Sequence, residues 1–313
     1  MAKELMRSMQ TGVWYKEMGG DENPEAAFAF IKECGFEAVD FGLNMHIPTL
    51  KVRAGEVHGF YDADVETLLD YYRPIKAAAD KNGIAFAQAH GPFPMWVEEF
   101  PDIHEYLLTV VEKMCAICQM LQCPILVVHP MIIPNREGGF ERNLEMYRKL
   151  IPAARKYGVQ ICLENMFITK NSHKIAANCS DMNEVCRYID ILNEEAGEPL
   201  FGFCYDVGHA TLISNDLLED ILTLGHRLSC LHIHGNDTMK DLHAIPYLVR
   251  TTKKELCTDW ESFLEGLRRV GYRGALNLES AGSLSCIPKE LIKPMLQFGS
   301  AACEYFKNQI LEK

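Results

Sequence analysis

Eight short β-rich runs, each followed by a longer amphipathic segment, leave this chain few folds to adopt. The runs are MQTGVWY, EAVDFGL, IAFAQAH, ILVVHP, VQICLEN, LFGFCYD, CLHIH and GALNLES. Helical patterns cover 24–34, 64–82, 102–122, 139–157, 181–196, 215–227, 259–270 and 288–312. Several helices hand over to the next strand through a glycine, as in KECGFEAVD, KNGIAF, KYGVQICL and RVGYRGALNL. Glycine tolerates the left-handed backbone that turns a helix end back into a strand. Helices between strands favour parallel pairing with right-handed crossovers. Eight such units fit a closed (β/α)8 barrel of the α/β class. An open doubly wound sheet usually carries a glycine-rich phosphate loop after its first strand, and neither G-x-G-x-x-G nor G-x-x-x-x-G-K occurs. No organic cofactor is expected. No linker or low-complexity tract divides the chain, so residues 1–313 are read as one domain.

In such a barrel, chemistry belongs to the carboxyl ends of the strands and the loops that follow. Strand three ends in QAHGPFPMW (His90), strand four in VVHP (His129) and strand five in CLEN (Glu164). Strand six ends in CYDVGHA (Asp206, His209), strand seven in LHIHGND (His234) and strand eight in LNLES (Glu279). The loop after strand seven adds Asp241 and His243, so five of the 11 histidines fall at one rim. Glu164, Asp206 and Glu279 each follow an apolar run, where an unpaired carboxylate is costly to desolvate. Three carboxylates and an imidazole converging from strands five to eight repel one another unless a cation joins them. Oxygen-plus-imidazole ligation suits Mn²⁺, Zn²⁺, Co²⁺ or Mg²⁺. One divalent ion on Glu164, Asp206, His234 and Glu279 is therefore expected. Alternation along the strand aims both His232 and His234 inward. His234, nearer the mouth, is the expected ligand, with His232 packed beneath it.

Charge and composition narrow the partners. A formal net charge of −12 opposes a broad nucleic-acid surface, and only ITKNSHK and VRTTKK are locally basic. No apolar run approaches the roughly 18 residues of a membrane span, and MAKELMRSMQ has no apolar signal core. The 12 cysteines are scattered; the close pair in CAIC lies inside a helical pattern, which reads as buried thiols in a reducing cytoplasm. The expected partner is a small carbohydrate, without membrane or nucleic acid, and a homo-oligomer is compatible with this composition. Trp14, Phe93 and Trp96 are candidates to wall the sugar's apolar face, and SAGSLS after Glu279 lies where barrels often bind phosphate.

The order H, HP, LEN, D-x-x-H, H-x-x-D, D-x-H, LE resembles the xylose-isomerase-like barrel superfamily over nearly the whole chain. That group includes sugar isomerases, tagatose and psicose 3-epimerases, inosose dehydratases and endonuclease IV. HGNDTMKDLHAIP and DWESFLEGLRRVGYRGALNLE are most like its sugar-phosphate isomerase/epimerase members. The resemblance implies a metal-dependent isomerase or epimerase whose quartet is Glu164, Asp206, His234 and Glu279. It also matches His90 and His129 to two further zinc ligands of endonuclease IV, and His209, Asp241 and His243 to the ligands of that enzyme's third zinc. The chain departs from the 3-epimerases at Lys170, where they carry a second glutamate, and has Asp237 and Lys240 near the place of their arginine.

Glu164 and Glu279, from strands five and eight, are the expected proton carriers at a carbon beside a carbonyl. His90, His129, His209, Asp241 and His243 are expected to hold substrate hydroxyls, since neutral imidazole both donates and accepts. Two alternatives share the residues: a multi-zinc phosphodiesterase, and a dehydratase or lyase, including one that cleaves carbon–glycoside bonds.

Overall fold

The barrel is built from eight parallel strands that wrap round a filled interior. The computed structural model describes residues 4–12, 15, 18–133, 138–252, 255–285 and 287–312. The strands are β1 (Arg7–Gln10), β2 (Ala38–Gly42), β3 (Ala85–His90), β4 (Ile125–Val127), β5 (Gln160–Glu164), β8 (Phe201–Asp206), β9 (Leu228–His232) and β10 (Leu276–Leu278), with β6 (Phe167–Lys170) and β7 (His173–Ala176) forming a separate antiparallel hairpin. The sheet order is β10-β1-β2-β3-β4-β5-β8-β9. It closes on itself through a parallel bridge between Ile233 and Leu278.

The surrounding helices include α1 (Pro24–Glu33), α2 (Thr49–Arg53), α3 (Val65–Asn82), α4 (Ile103–Leu121), α5 (Gly139–Arg148), α6 (Ile151–Tyr157) and α7 (Met182–Ala196). They continue with α8 (Val207–Leu212), α9 (Leu217–Leu224), α10 (Trp260–Val270), α11 (Ala281–Leu284) and α12 (Lys289–Leu311). Their starts carry side-chain caps: Asp64, Asp181, Asp216 and Asp259 each accept backbone N–H groups of the first turn. At the ends of α3 and α6, Gly83 (φ 69°) and Gly158 (φ 64°) take the left-handed turn into the next strand, as the glycine signals predict.

Three sequence expectations shift. The first strand is Arg7–Gln10 rather than 9–15, which makes Gln10 a strand-end residue. The helix expected over 139–157 breaks between Arg148 and Ile151, where Pro152 opens α6 and has no N–H to continue the turn. ITKNSHK folds into the β6–β7 hairpin instead of a loose loop.

Strand alternation organises the interior into levels. Ala38, Ala87 and Ala275 pack in one small cluster, and Val127, Cys162, Cys204 and Cys230 in another. Two residues further along the same strands come Asp40, His129, Glu164, Asp206, His232 and Asn277, all buried. Small apolar side chains thus form the floor on which polar groups stand. The chain after β4 is fixed by buried Asn143 on α5, whose side chain accepts from Met131 N at 2.7 Å and donates to Met131 O at 3.0 Å. Asn143→Ala leaves that backbone N–H unpaired in the interior and is expected to cost about 2 kcal/mol, read as a lower urea midpoint with unchanged slope.

Candidate active site

The closed end of the barrel mouth gathers carboxylates around one imidazole. His232 Nδ1 lies 3.3 Å from Glu164 Oε1, 3.2 Å from Glu279 Oε2 and 3.9 Å from Asp206 Oδ2. Its other nitrogen, Nε2, is 3.0 Å from Asp40 Oδ2. Asp40 is itself held by donors from Gln88 Nε2 (3.2 Å) and Asn277 Nδ2 (3.3 Å). All four carboxylates and His232 are almost entirely shielded from water.

Protonation follows from these neighbours. Burial disfavours charge on His232, but Glu279, Glu164 and Asp40 outweigh it and hold the ring well above the usual imidazole range. Burial likewise opposes the Glu164 carboxylate, yet His232 and His129 keep its pKa well below the usual range. Glu279 goes the other way: burial, aided by Asp206 and Glu164, lifts it to about 7 against the pull of His232 and His243. Gln10 Nε2 donates to Glu279 Oε1 at 2.6 Å and fixes that carboxyl.

The sequence reading expects His234 in the central quartet, and the structure pairs it with one member of that quartet, Asp206. Both histidines face inward as alternation requires, but His234 leans toward the end of β8, with Nε2 3.0 Å from either Asp206 oxygen. It stacks on His243 at 4.1 Å and 6°. His232, expected beneath the site, is the ring that meets Glu164 and Glu279 together.

Two outer groups flank the centre. On one side His90 Nε2 and His129 Nε2 are 3.2 Å apart, and His129 Nε2 is 3.2 Å from Glu164 Oε2. On the other, Asp241 Oδ2 is 3.1 Å from His243 Nε2 and 3.6 Å from His209 Nε2. His209 Nδ1 donates to Asn165 O at 2.8 Å, while its backbone N–H donates to Asp206 Oδ1 at 2.6 Å. Burial works against a charged His209, but Asp206, Asp241 and Glu164 raise it to about 10; for His243, Glu279 and Asp241 overcome burial and raise it to about 9. Burial, despite nearby carboxylates, keeps His90 and His234 below the ordinary imidazole value.

Donor chemistry fits a divalent cation. Glu164 Oε2, Glu279 Oε2 and His232 Nδ1 are buried and have no hydrogen-bond partner among the described residues. Such groups are costly to leave unsatisfied, and three carboxylates with one imidazole are an established ligand set for divalent ions. The Asp40 contact on the far nitrogen of His232 is the arrangement that orients a ligating ring.

Above the centre opens a cavity of about 1100 Å³, reached by Gln10, His90, His129, Glu164, His209, Asp241, His243 and Glu279. Trp96 and Phe93 line it, whereas Trp14 lies outside the described residues. None of the described residues of SAGSLS lines the cavity. Asp40, Gln88, Asn277, Gln10 and Asn165 were missed from sequence. Asp40 had a usable signal, a lone acid inside the apolar run EAVDFGL; Gln10 was hidden by the misplaced first strand.

A closed (β/α)8 barrel with a carboxylate–imidazole cluster at its C-terminal mouth defines a class of barrels built for chemistry at that rim. The chain belongs to the xylose isomerase-like TIM barrel family, whose model matches residues 28–299. An uncharacterised protein of Sinorhizobium fredii is 35% identical over 292 residues, covering 85% of this chain and 82% of that one. Another, from Methanocaldococcus jannaschii, is 24% identical over 185 residues, 56% of this chain and only 58% of its own length. Among solved structures, the E. coli 3-keto-D-glucoside 4-epimerase superposes with a TM-score of 0.66 at 17% identity, covering 96% of this chain and 100% of that one. The D-allulose 3-epimerase of a Methylomonas species, in complex with D-allulose, gives 0.63 at 16% identity, with 98% of each chain covered. At these identities the two structures share the fold with this chain. Among the described residues, no helix is long and apolar enough to cross a membrane.

The charge pattern is testable in chelator-treated protein. Nitrogen-15 spectra at pH 8 should show His209 and His243 as imidazolium, since pKa values of about 10 and 9 lie above that pH, with His90 and His234 neutral. Asp241→Asn should bring the titration of both His209 and His243 down; unmoved titrations would show that Asp241 does not hold their charge.

Proposed function

We propose that the protein is a divalent-metal-dependent epimerase or isomerase of a sugar, acting by proton transfer at a carbon beside a carbonyl. The observation that carries the reading is the convergence of Glu164 and Glu279 on one nitrogen of His232, at 3.3 and 3.2 Å, beside an open cavity that both glutamates line. The sugar epimerases that share the fold support it.

Glu164, Asp206, His232 and Glu279 would hold the metal, with His232 in the place the sequence reading gave to His234. A bound divalent ion supplies Lewis-acid polarisation of adjacent carbonyl and hydroxyl oxygens, which lowers the cost of removing the neighbouring proton. Glu164 and Glu279 approach the substrate from different strands. One takes the proton and the other returns it, to the opposite face for epimerisation or to the neighbouring carbon for isomerisation. Gln10 steadies Glu279, and Asp40 steadies His232. His90, His129, His209, Asp241 and His243 surround the ring hydroxyls.

A second reading, a multi-metal phosphodiesterase, draws on two further groupings. The ligand atoms of His90, His129 and Glu164, and those of His209, His234, Asp241 and His243, each lie within 4.8 Å of one another. The net charge of −12 weighs against a polyanionic substrate.

Elemental analysis of protein purified without chelator separates the readings: one equivalent of metal is expected here, and near three supports the phosphodiesterase. Asp206→Asn and His232→Ala should each lose bound metal, while His234→Ala keeps it. Metal retained in His232→Ala but lost in His234→Ala would return His234 to the quartet. Turnover in D₂O should place solvent deuterium beside the carbonyl, and Glu164→Gln or Glu279→Gln should slow that exchange by about 10²–10⁴-fold. Turnover without solvent label would reduce both glutamates to ligands.

A further inference from the structure

The cavity is larger than a single sugar ring over the metal centre requires. Its volume of about 1100 Å³ exceeds the roughly 300–1,000 Å³ usual for pockets that enclose drug-sized ligands. The groups of the site occupy its floor, and Asn44, Thr49, Arg53, Glu98, Glu99 and Thr169 also belong to its lining. Aromatic surface begins where the imidazoles end: Phe93 adjoins His129 with ring centroids 4.8 Å apart, and Phe167 adjoins His209 at 5.0 Å. Trp96 and Phe100 extend this wall, and Ile132 and Met166 belong to the same lining.

The rings are held rather than free. Arg53 lies over Phe93 at 5.9 Å, Arg142 over Trp96 at 4.6 Å and Lys174 over Phe167 at 4.7 Å. A cation over a ring face costs that ring freedom and fixes its plane. Phe100 is nevertheless 40% exposed, and Phe93, Trp96 and Phe167 are only partly buried. Contiguous apolar surface of this kind, continuous with a polar centre, marks a place that a ligand covers.

We propose that the substrate is a glycoside whose sugar ring carries the ketone that the proposed proton transfer requires and lies over Glu164, His232 and Glu279, and whose flat apolar aglycone lies on Phe93, Trp96, Phe100 and Phe167. The sugar half rests on the function proposed above. A phosphate in this cavity would meet Glu98 and Glu99, while Arg53 of the same lining is engaged over Phe93. A planar aryl group matches both the ring faces and the aliphatic neighbours.

The test is calorimetric binding to Mn²⁺-loaded protein of phenyl β-D-glucopyranoside, methyl β-D-glucopyranoside and cellobiose. The phenyl glycoside should bind roughly ten- to a hundred-fold tighter than the methyl glycoside, the gain expected from burying one aromatic ring. Trp96→Ala and the milder Phe167→Leu should each shrink that preference by about ten-fold. Equal affinity for phenyl and methyl glycosides, no binding of either, cellobiose as the tightest ligand, or a preference untouched in both variants would each overturn the proposal. Solvent-deuterium exchange answers separately. Its absence on a keto-glycoside, alongside an intact phenyl preference, removes the epimerase reading and leaves the aglycone wall standing; the glucosides of the binding test carry no proton beside a carbonyl and serve as binding probes only.

Discussion

Everything at the mouth of this barrel depends on balancing buried negative charge. Glu164, Asp206, Glu279 and Asp40 are all removed from water within one polar cluster, and carboxylates so placed repel one another strongly. His232 answers three of them through Nδ1 and the fourth through Nε2. Its two nitrogens therefore connect opposite parts of the barrel, and the position of that one ring sets where the surrounding groups can stand. Asp40 comes from β2, far in sequence from the other three, so the balance also ties the first half of the chain to the second.

Strand register turns this local demand into a global one. Each polar group stands two residues beyond a small or apolar side chain: Val127 before His129, Cys162 before Glu164, Cys204 before Asp206 and Cys230 before His232. A slip of one residue in any of these strands would send its polar group outward and its floor side chain with it. The cysteines serve here as compact filler, and burial raises the pKa values of their thiols, which keeps them inert.

The barrel was readable from the chain because its period is regular. The glycine stops and the apolar runs ending in acids or histidines repeat often enough that a misplaced first strand did not spoil the order. The rim was readable for the same reason, since His90, His129, Glu164, Asp206, His209 and Glu279 each end a strand or begin the loop after it. Which of His232 and His234 lies nearer to Glu164 and Glu279 was not. Alternation says only that both point inward; it does not say which ring reaches Glu164 and Glu279, and in the structure that ring is His232. Gln88 and Asn277 were invisible for a related reason, and the signal at Asp40 did not say what it pairs with. Their partners lie on other strands, and a one-dimensional pattern does not tell a buried acid with a partner from a strand residue facing solvent.

The seam that closes the barrel has a mechanical meaning. Between β9 and β10 the circle is completed around Ile233, whose N–H donates to Asn277 O at 2.8 Å and whose carbonyl accepts from Glu279 N at 3.0 Å. That is the shortest stretch of pairing on the circumference, and His232 and Glu279 stand on its two sides. Any group that grips both residues also clasps the hoop at its weakest join. Occupancy of the site and resistance of the barrel to local opening then become one property, visible as slowed amide exchange at Ile233 and Glu279 before any chemistry takes place.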